Sequence, residues 1–162
     1  MRHAKAEPAA VTDHARDLTA GGRRDAALAG EWLREARIVP DAALISSATR
    51  TTSTWQEVSS AAGLNCRLDS SDALYAAEPD SALDLIRSTA DEVGTLIVIG
   101  HNPTMGLLAQ SLDDGDGDVE ASTGMIAGFP TCATAVFTFE GGWVDLAPGA
   151  ARLASFHVPR GG

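Results

Sequence analysis

Apolar runs and stretches of mixed polarity alternate along the chain, and their lengths and periods predict alternating strands and helices. AGGRRDAALAGEWLREAR after Thr19 reads as a capped helix with Leu28, Trp32 and Leu33 on one side, its first turn weakened by Gly21 and Gly22. AALIS (42–46) is short and apolar, as a buried strand requires, and TRTTSTWQEVSSAAG (49–63) reads as a helix stopped at Gly63. A weaker strand is expected near Cys66 to Leu68, after which Pro79 opens the helical stretch DSALDLIRSTADEV. TLIVIG (95–100) is almost continuously apolar, the pattern of a strand covered on both faces in a parallel sheet. NPTMGLLAQSL follows as a helix, with Asn102 as cap and Pro103 in its first turn. In the last third, TAVFTF and WVDLA flank EGG and predict a hairpin, with ARLASFHV as a further strand. Together these elements predict an α/β fold: a mainly parallel central sheet flanked by helices, antiparallel at one edge in the C-terminal third.

Length and charge narrow this picture. With 162 residues, 44% of them hydrophobic, the chain suits one domain spanning 1–162 and is short for two. No repeat or linker interrupts it. A formal charge of -10 repels phosphate at long range, which argues against nucleic acid and anionic membranes as partners. Any anion that binds must be drawn by a local cluster. Cys66 and Cys132 stand apart and outside any CxxC pair, so reduced, packed thiols are expected rather than a disulfide or a zinc site. No apolar run reaches membrane-spanning length and the first dozen residues lack a signal peptide's hydrophobic region, so a cytoplasmic location is expected. The acidic tract DDGDGDVE (113–120) fails the calcium-loop test, because counting from Asp114 puts Val119 where glycine is needed and Met125 where glutamate is needed. It reads as a solvated loop.

Candidate chemistry lies at the strand ends, where open α/β sheets bind ligands. His101 stands directly after TLIVIG, and Arg50 lies in the first turn of the helix after AALIS. Arg2 and His3 take the equivalent place if a strand ends there. Singly, each residue has a plain structural role; their common placement points to phosphate. Arginine forks bind phosphoryl oxygens bidentately, and a neutral imidazole nitrogen can attack phosphorus in line. The Asn102-Pro103 helix start would aim unpaired amides at the same crevice. A second imidazole, if protonated, adds a charged donor. No metal-ligand spacing is present.

RHAKA (2–6), LTAGGRRDA (18–26), SSATRTTSTW (46–55), VIGHNPTM (98–105) and the ending FPTCATAVFTFEGGWVDLAPGAARL resemble the histidine phosphatase superfamily, also called phosphoglycerate-mutase-like, in its SixA-type phosphohistidine phosphatase branch. The resemblance covers nearly the whole chain. It implies His3 as nucleophile, Arg2 and Arg50 as phosphoryl ligands, His101 completing the pocket, Asn102 as a further substrate contact, no cofactor and no metal, and a monomer. Two departures stand out. Only Met1 precedes Arg2 where the family carries an apolar first strand, so that strand is expected to be truncated, or translation to start upstream; a free Met1 amino group would then add positive charge near His3. The second departure is that no general acid is evident in LYAAEPDSAL (74–83), which offers Glu78 as a candidate whose simpler role is helix capping. A pocket without a strong acid suits phosphohistidine, whose imidazole can leave already protonated on its other nitrogen. Three readings stay open: a phosphatase for protein phosphohistidine, one for small phosphoesters, and a phosphate-binding module with little turnover. Asp13, His14 and Arg16 are expected in a solvated loop at the pocket rim, Ser47 as the cap of the Arg50 helix, and His157 in packing.

Overall fold

The computed structural model describes residues 1–159. Strands β1 (Ala42–Ser46), β2 (Arg67–Ser71) and β3 (Leu96–Ile99) form a parallel sheet in the order β2-β1-β3. Ala42 pairs with Arg67 on one side and Leu96 on the other, so β1 is central, and all five of its residues are buried. β4 (Thr134–Thr138) and β5 (Arg152–His157) form a separate antiparallel pair, Thr134 opposite His157. The α/β architecture is therefore as the sequence predicts, with local corrections. WVD is not a strand: Trp143–Asp145 is a 3-10 turn whose indole donates to the Val93 carbonyl at 2.6 Å, and the partner of β4 is β5.

Helix α1 (Ala20–Glu35) begins where Thr19 caps the Gly22 amide, and α2 (Thr49–Ala62) ends at Gly63 with φ 69°, a conformation glycine adopts without strain. The inward face of α1 is smaller than its Leu and Trp residues suggest. Gly22, Ala26, Ala29, Gly30 and Leu33 are the buried positions, and a Cβ on Gly30 would collide with the Val58 carbonyl, so α1 and α2 pack backbone to backbone. Ser47 does not cap α2; Ala48 is the cap residue and the Ser47 hydroxyl pairs with His14. The short α3 (Asp72–Tyr75) was not apparent from the sequence, whereas α4 (Pro79–Arg87) starts at Pro79 as expected. Beyond β3, α5 (Thr104–Leu112) starts two residues later than the Asn102 boundary suggests, although Asn102 Oδ1 still accepts from the Gly106 amide at 3.3 Å. The acidic tract is more than a loop: Asp118 caps an unforeseen helix α6 (Val119–Ala127). Both cysteines are free, Cys132 fully buried, and His157 stacks on Trp32 with ring centroids 4.5 Å apart. No helix is long and apolar enough to cross a membrane.

Residues 1–3 join the two sheets. The His3 amide donates to the Gly100 carbonyl and Gly100 donates to Met1, while Arg2 donates to Ala133 and Cys132 donates to His3. This short segment thus runs parallel to β3 and bonds on its other side to the approach to β4. Beyond Met1 the two sheets separate around an apolar cleft of about 340 Å³, lined by Met1, Leu96, Val98, Ala135, Phe137 and Trp143 among others. The Met1 amino group sits at the end of this cleft and donates to the Val98 carbonyl at 2.8 Å. Burial pushes its pKa down to about 5, so it is neutral at pH 7 and adds no charge beside His3, contrary to the expectation above. An extension of four or five alternating β-branched residues placed before Met1 is expected to enter the cleft. Burying two such side chains contributes about 3–6 kcal/mol, or about 6–24 °C in Tm for a chain of this size. Differential scanning calorimetry against a Gly-Ser extension of equal length checks this, and equal Tm values would show that the cleft does not accept a strand.

Candidate active site

The residues at the ends of β1, β3 and the N-terminal segment converge. The His3 and His101 ring centroids lie 5.1 Å apart with their planes inclined by 58°. Arg50 is 5% exposed and donates from Nε to His101 Nδ1 at 3.3 Å. Local sequence accounts for this placement. Gly100 precedes His101 because a Cβ there would strike the Met105 thioether, and Thr54 ties α2 to the His3 segment by accepting from the Ala4 amide while donating to the Arg50 carbonyl. A Cβ on Gly22 would run into the Lys5 backbone, so the start of α1 presses directly on the chain just after His3.

Tautomers follow from the partners. His3 Nδ1 lies 2.7 Å from the Ala4 carbonyl, which can only accept, so Nδ1 carries the proton and Nε2 keeps its lone pair. Burial first, then the charges of Arg50 and Arg2, push the His3 pKa down to about 4 despite the bond to Ala4, which acts the other way. His101 Nδ1 accepts from the Arg50 guanidinium, so its proton resides on Nε2 and is donated to Ser46 Oγ at 2.8 Å. Burial and Arg50 hold His101 down to about 3. Both rings are therefore neutral at pH 7, so the second imidazole, which would add a charged donor if protonated, is uncharged here.

Arg2 and Asn102 share one anchor. Arg2 donates from NH1 and Asn102 from Nδ2 to the same Phe129 carbonyl, at 3.1 and 2.8 Å. The buried Arg2 Nε has no hydrogen-bond partner among the described residues. A buried, unpaired guanidinium nitrogen is costly unless a ligand completes it. The Asn102 side chain spends its bonds on Phe129 and Gly106, and among the described residues no hydrogen bond joins it to His3 or to the His101 ring. Glu78 is exposed and is the residue before α4, without a side-chain capping bond; among the described residues no hydrogen bond brings it to His3 or His101. Among the described residues, no group of three or more His, Cys, Asp or Glu side chains is placed to hold a metal ion.

Three contributors escaped the sequence reading. Ser46, fully buried at the end of β1, orients His101. Tyr75 stands edge-on to the His101 ring at 5.5 Å and lies under the Arg50 guanidinium at 5.7 Å. Asp13, exposed in the rim loop as expected, is also bonded to Arg50 through both its carbonyl and its carboxylate, at 2.8 and 3.1 Å, contacts that the sequence reading did not anticipate. A serine, a tyrosine and a loop aspartate carry no distinguishing spacing; the strand-end position of Ser46 could have flagged it, and for Asp13 the rim position was legible but the bond to Arg50 was not.

The fold is that of a phosphatase of the histidine phosphatase superfamily, and the chain belongs to that family, in its SixA-like branch. The solved structure of a protein assigned as phosphohistidine phosphatase SixA from Nakamurella multipartitia superposes with a TM-score of 0.85 at 32% identity, covering 98% of this chain and 93% of that one. A SixA counterpart from Agrobacterium tumefaciens gives 0.81 at 29% identity, covering 98% and 95%. An uncharacterised protein of Mycobacterium tuberculosis strain H37Rv is 40% identical over 162 residues, 99% of this chain and 100% of its own length. No family model matches the chain.

Proposed function

We propose that residues 1–162 act as one histidine phosphatase domain that removes phosphoryl groups from protein phosphohistidine, without metal or cofactor, through a phosphohistidine formed on His3. The observation that carries this reading is a neutral His3, its Nδ1 proton committed to Ala4, with its ring centroid 5.1 Å from that of a second imidazole to which a buried guanidinium is bonded. His3 Nε2 attacks phosphorus in line; the new P–N bond forms as the bond to the leaving group breaks, and the leaving group departs with that electron pair. Water then attacks the same phosphorus, Nε2 recovers its electron pair, and water gives up a proton as inorganic phosphate forms. Arg2 and Arg50 hold the phosphoryl oxygens in both steps, where their charge matches the spreading charge of the transition state.

Substrate class follows from proton supply. The carboxylate that reaches the pocket is Asp13, and its hydrogen bond from Tyr75, aided by Arg50 and Arg16, holds it down to about 2, so it has no proton to give at pH 7. An alkoxide leaving group needs such a proton, whereas a phosphorylated imidazole protonated on its other nitrogen leaves neutral. SixA proteins are described as phosphohistidine phosphatases, in agreement with this preference.

The test is a panel in excess chelator: a phosphohistidine-bearing protein domain beside small phosphomonoesters. Faster release of phosphate from the protein substrate, unaffected by chelator, is expected. Preference for the small esters would move the assignment to a small-phosphoester phosphatase, binding without hydrolysis would leave a phosphate-binding module, and chelator sensitivity would end metal independence.

A further inference from the structure

The loop before α1 is strapped onto the pocket. Thr49 donates its amide to the His14 carbonyl at 3.0 Å, and His14 Nε2 pairs with Ser47 Oγ at 3.0 Å, so the strap is fixed to the start of α2 on both sides of its backbone. Asp13 is thereby held against Arg50. Its carbonyl takes NH1 and its Oδ2 takes NH2, while Nε is committed to His101, so all three nitrogens of the guanidinium are engaged. The same Oδ2 accepts from Tyr75 Oη at 2.7 Å, and Oδ1 accepts from Arg16 Nε at 2.8 Å. Three donors therefore hold one carboxylate at the mouth of an anion site, in a side chain that remains 57% exposed.

We propose that Asp13 is an internal counter-ion that competes with phosphoryl groups for Arg50 and so sets how tightly the pocket holds anions. This rests on Arg50 being a phosphoryl ligand, as proposed above. The carboxylate imitates the ligand's charge and its contacts, and it weakens both entry of substrate and retention of product phosphate. Its hydrogen bonds to Tyr75 and to the two arginines keep it ionised throughout the working pH range. Among the described residues the Arg2 guanidinium has no such partner; its side-chain hydrogen bond goes to a neutral carbonyl. The two guanidiniums are thus unequal, one ready for an anion and one already occupied.

Inorganic phosphate binding, measured by isothermal titration calorimetry, tests this with Asp13→Asn, Asp13→Ala and Arg50→Ala. Asparagine keeps the shape and the carbonyl contact and removes only the charge; alanine removes the side chain. Both are expected to bind phosphate about five- to tenfold more tightly than the wild type at low salt, with the gain shrinking as salt is added. Arg50→Ala is expected to bind far more weakly. Asp13 variants that bind phosphate no more tightly than the wild type, while Arg50→Ala still loses binding, would overturn the competition alone and leave Asp13 as a support for the guanidinium. Unchanged binding by Arg50→Ala would instead remove the reading of Arg50, and the counter-ion role with it.

Discussion

Alanine at position 3 is expected to lower turnover of phosphohistidine by about 10³-fold or more, the scale on which removal of a covalent nucleophile registers. His3 is buried, yet its polar commitments are few: Nδ1 donates to Ala4 and Nε2 has no hydrogen-bond partner among the described residues. Most of the loss is therefore chemical, and the backbone bonds of residue 3 to Gly100 and Cys132 survive the substitution. Quenching the wild-type reaction should trap an acid-labile, base-stable phosphoprotein that the variant lacks. Full activity in the alanine variant would end the proposed covalent route. The pH profile carries the same information. Because folding lowers the His3 pKa to about 4, the nucleophile is deprotonated above that value, and the acid limb of kcat/KM belongs near pH 4 rather than near 6.5.

The second large effect is expected for Arg50→Ala. Loss of this buried residue removes a phosphoryl ligand, the donor to His101 Nδ1 and the partner of Asp13 at once. Each charge-assisted hydrogen bond contributes about 1.5–3 kcal/mol, so kcat/KM should fall by about 10²-fold or more. Arg50→Lys should not restore it, because an ammonium cannot span His101 and Asp13 with a planar fork. The variant also has a titration signature. Arg50 helps to depress both imidazoles, so its removal should raise the His3 and His101 pKa values toward the ordinary range, and NMR titration of the ring protons would record that rise. Unmoved pKa values alongside unchanged kcat/KM would take Arg50 out of the site.

Position along the chain made much of this readable. His101 follows the apolar run that becomes β3, and Arg50 follows β1 by four residues, so strand-end logic put both at one rim before any contact was known. Helix limits marked by backbone chemistry, at Thr19 and Gly63, fell where expected for the same reason: a cap depends on its immediate neighbours. Features decided at long range were not readable. Glu140-Gly141-Gly142 has the composition of a hairpin turn, but the Trp143 indole reaches the Val93 carbonyl and the Asp145 carboxylate accepts from the Gly142 amide, which curls the chain and leaves β4 to β5. Asp13 is 37 residues from Arg50 and Tyr75 is 62 from Asp13, so no local period connects them. The charged state of His101 was likewise set by burial and by Arg50, neither of which a residue type reveals.

One carbonyl oxygen, that of Phe129, steadies both the first guanidinium and the amide that begins the α5 segment. The stretch on either side of it contributes no reacting group, yet it cannot drift without loosening two walls together. Substitutions there would masquerade as defects in ligand recognition while leaving every ionisable side chain in place, so the keystone of this vault is a piece of main chain.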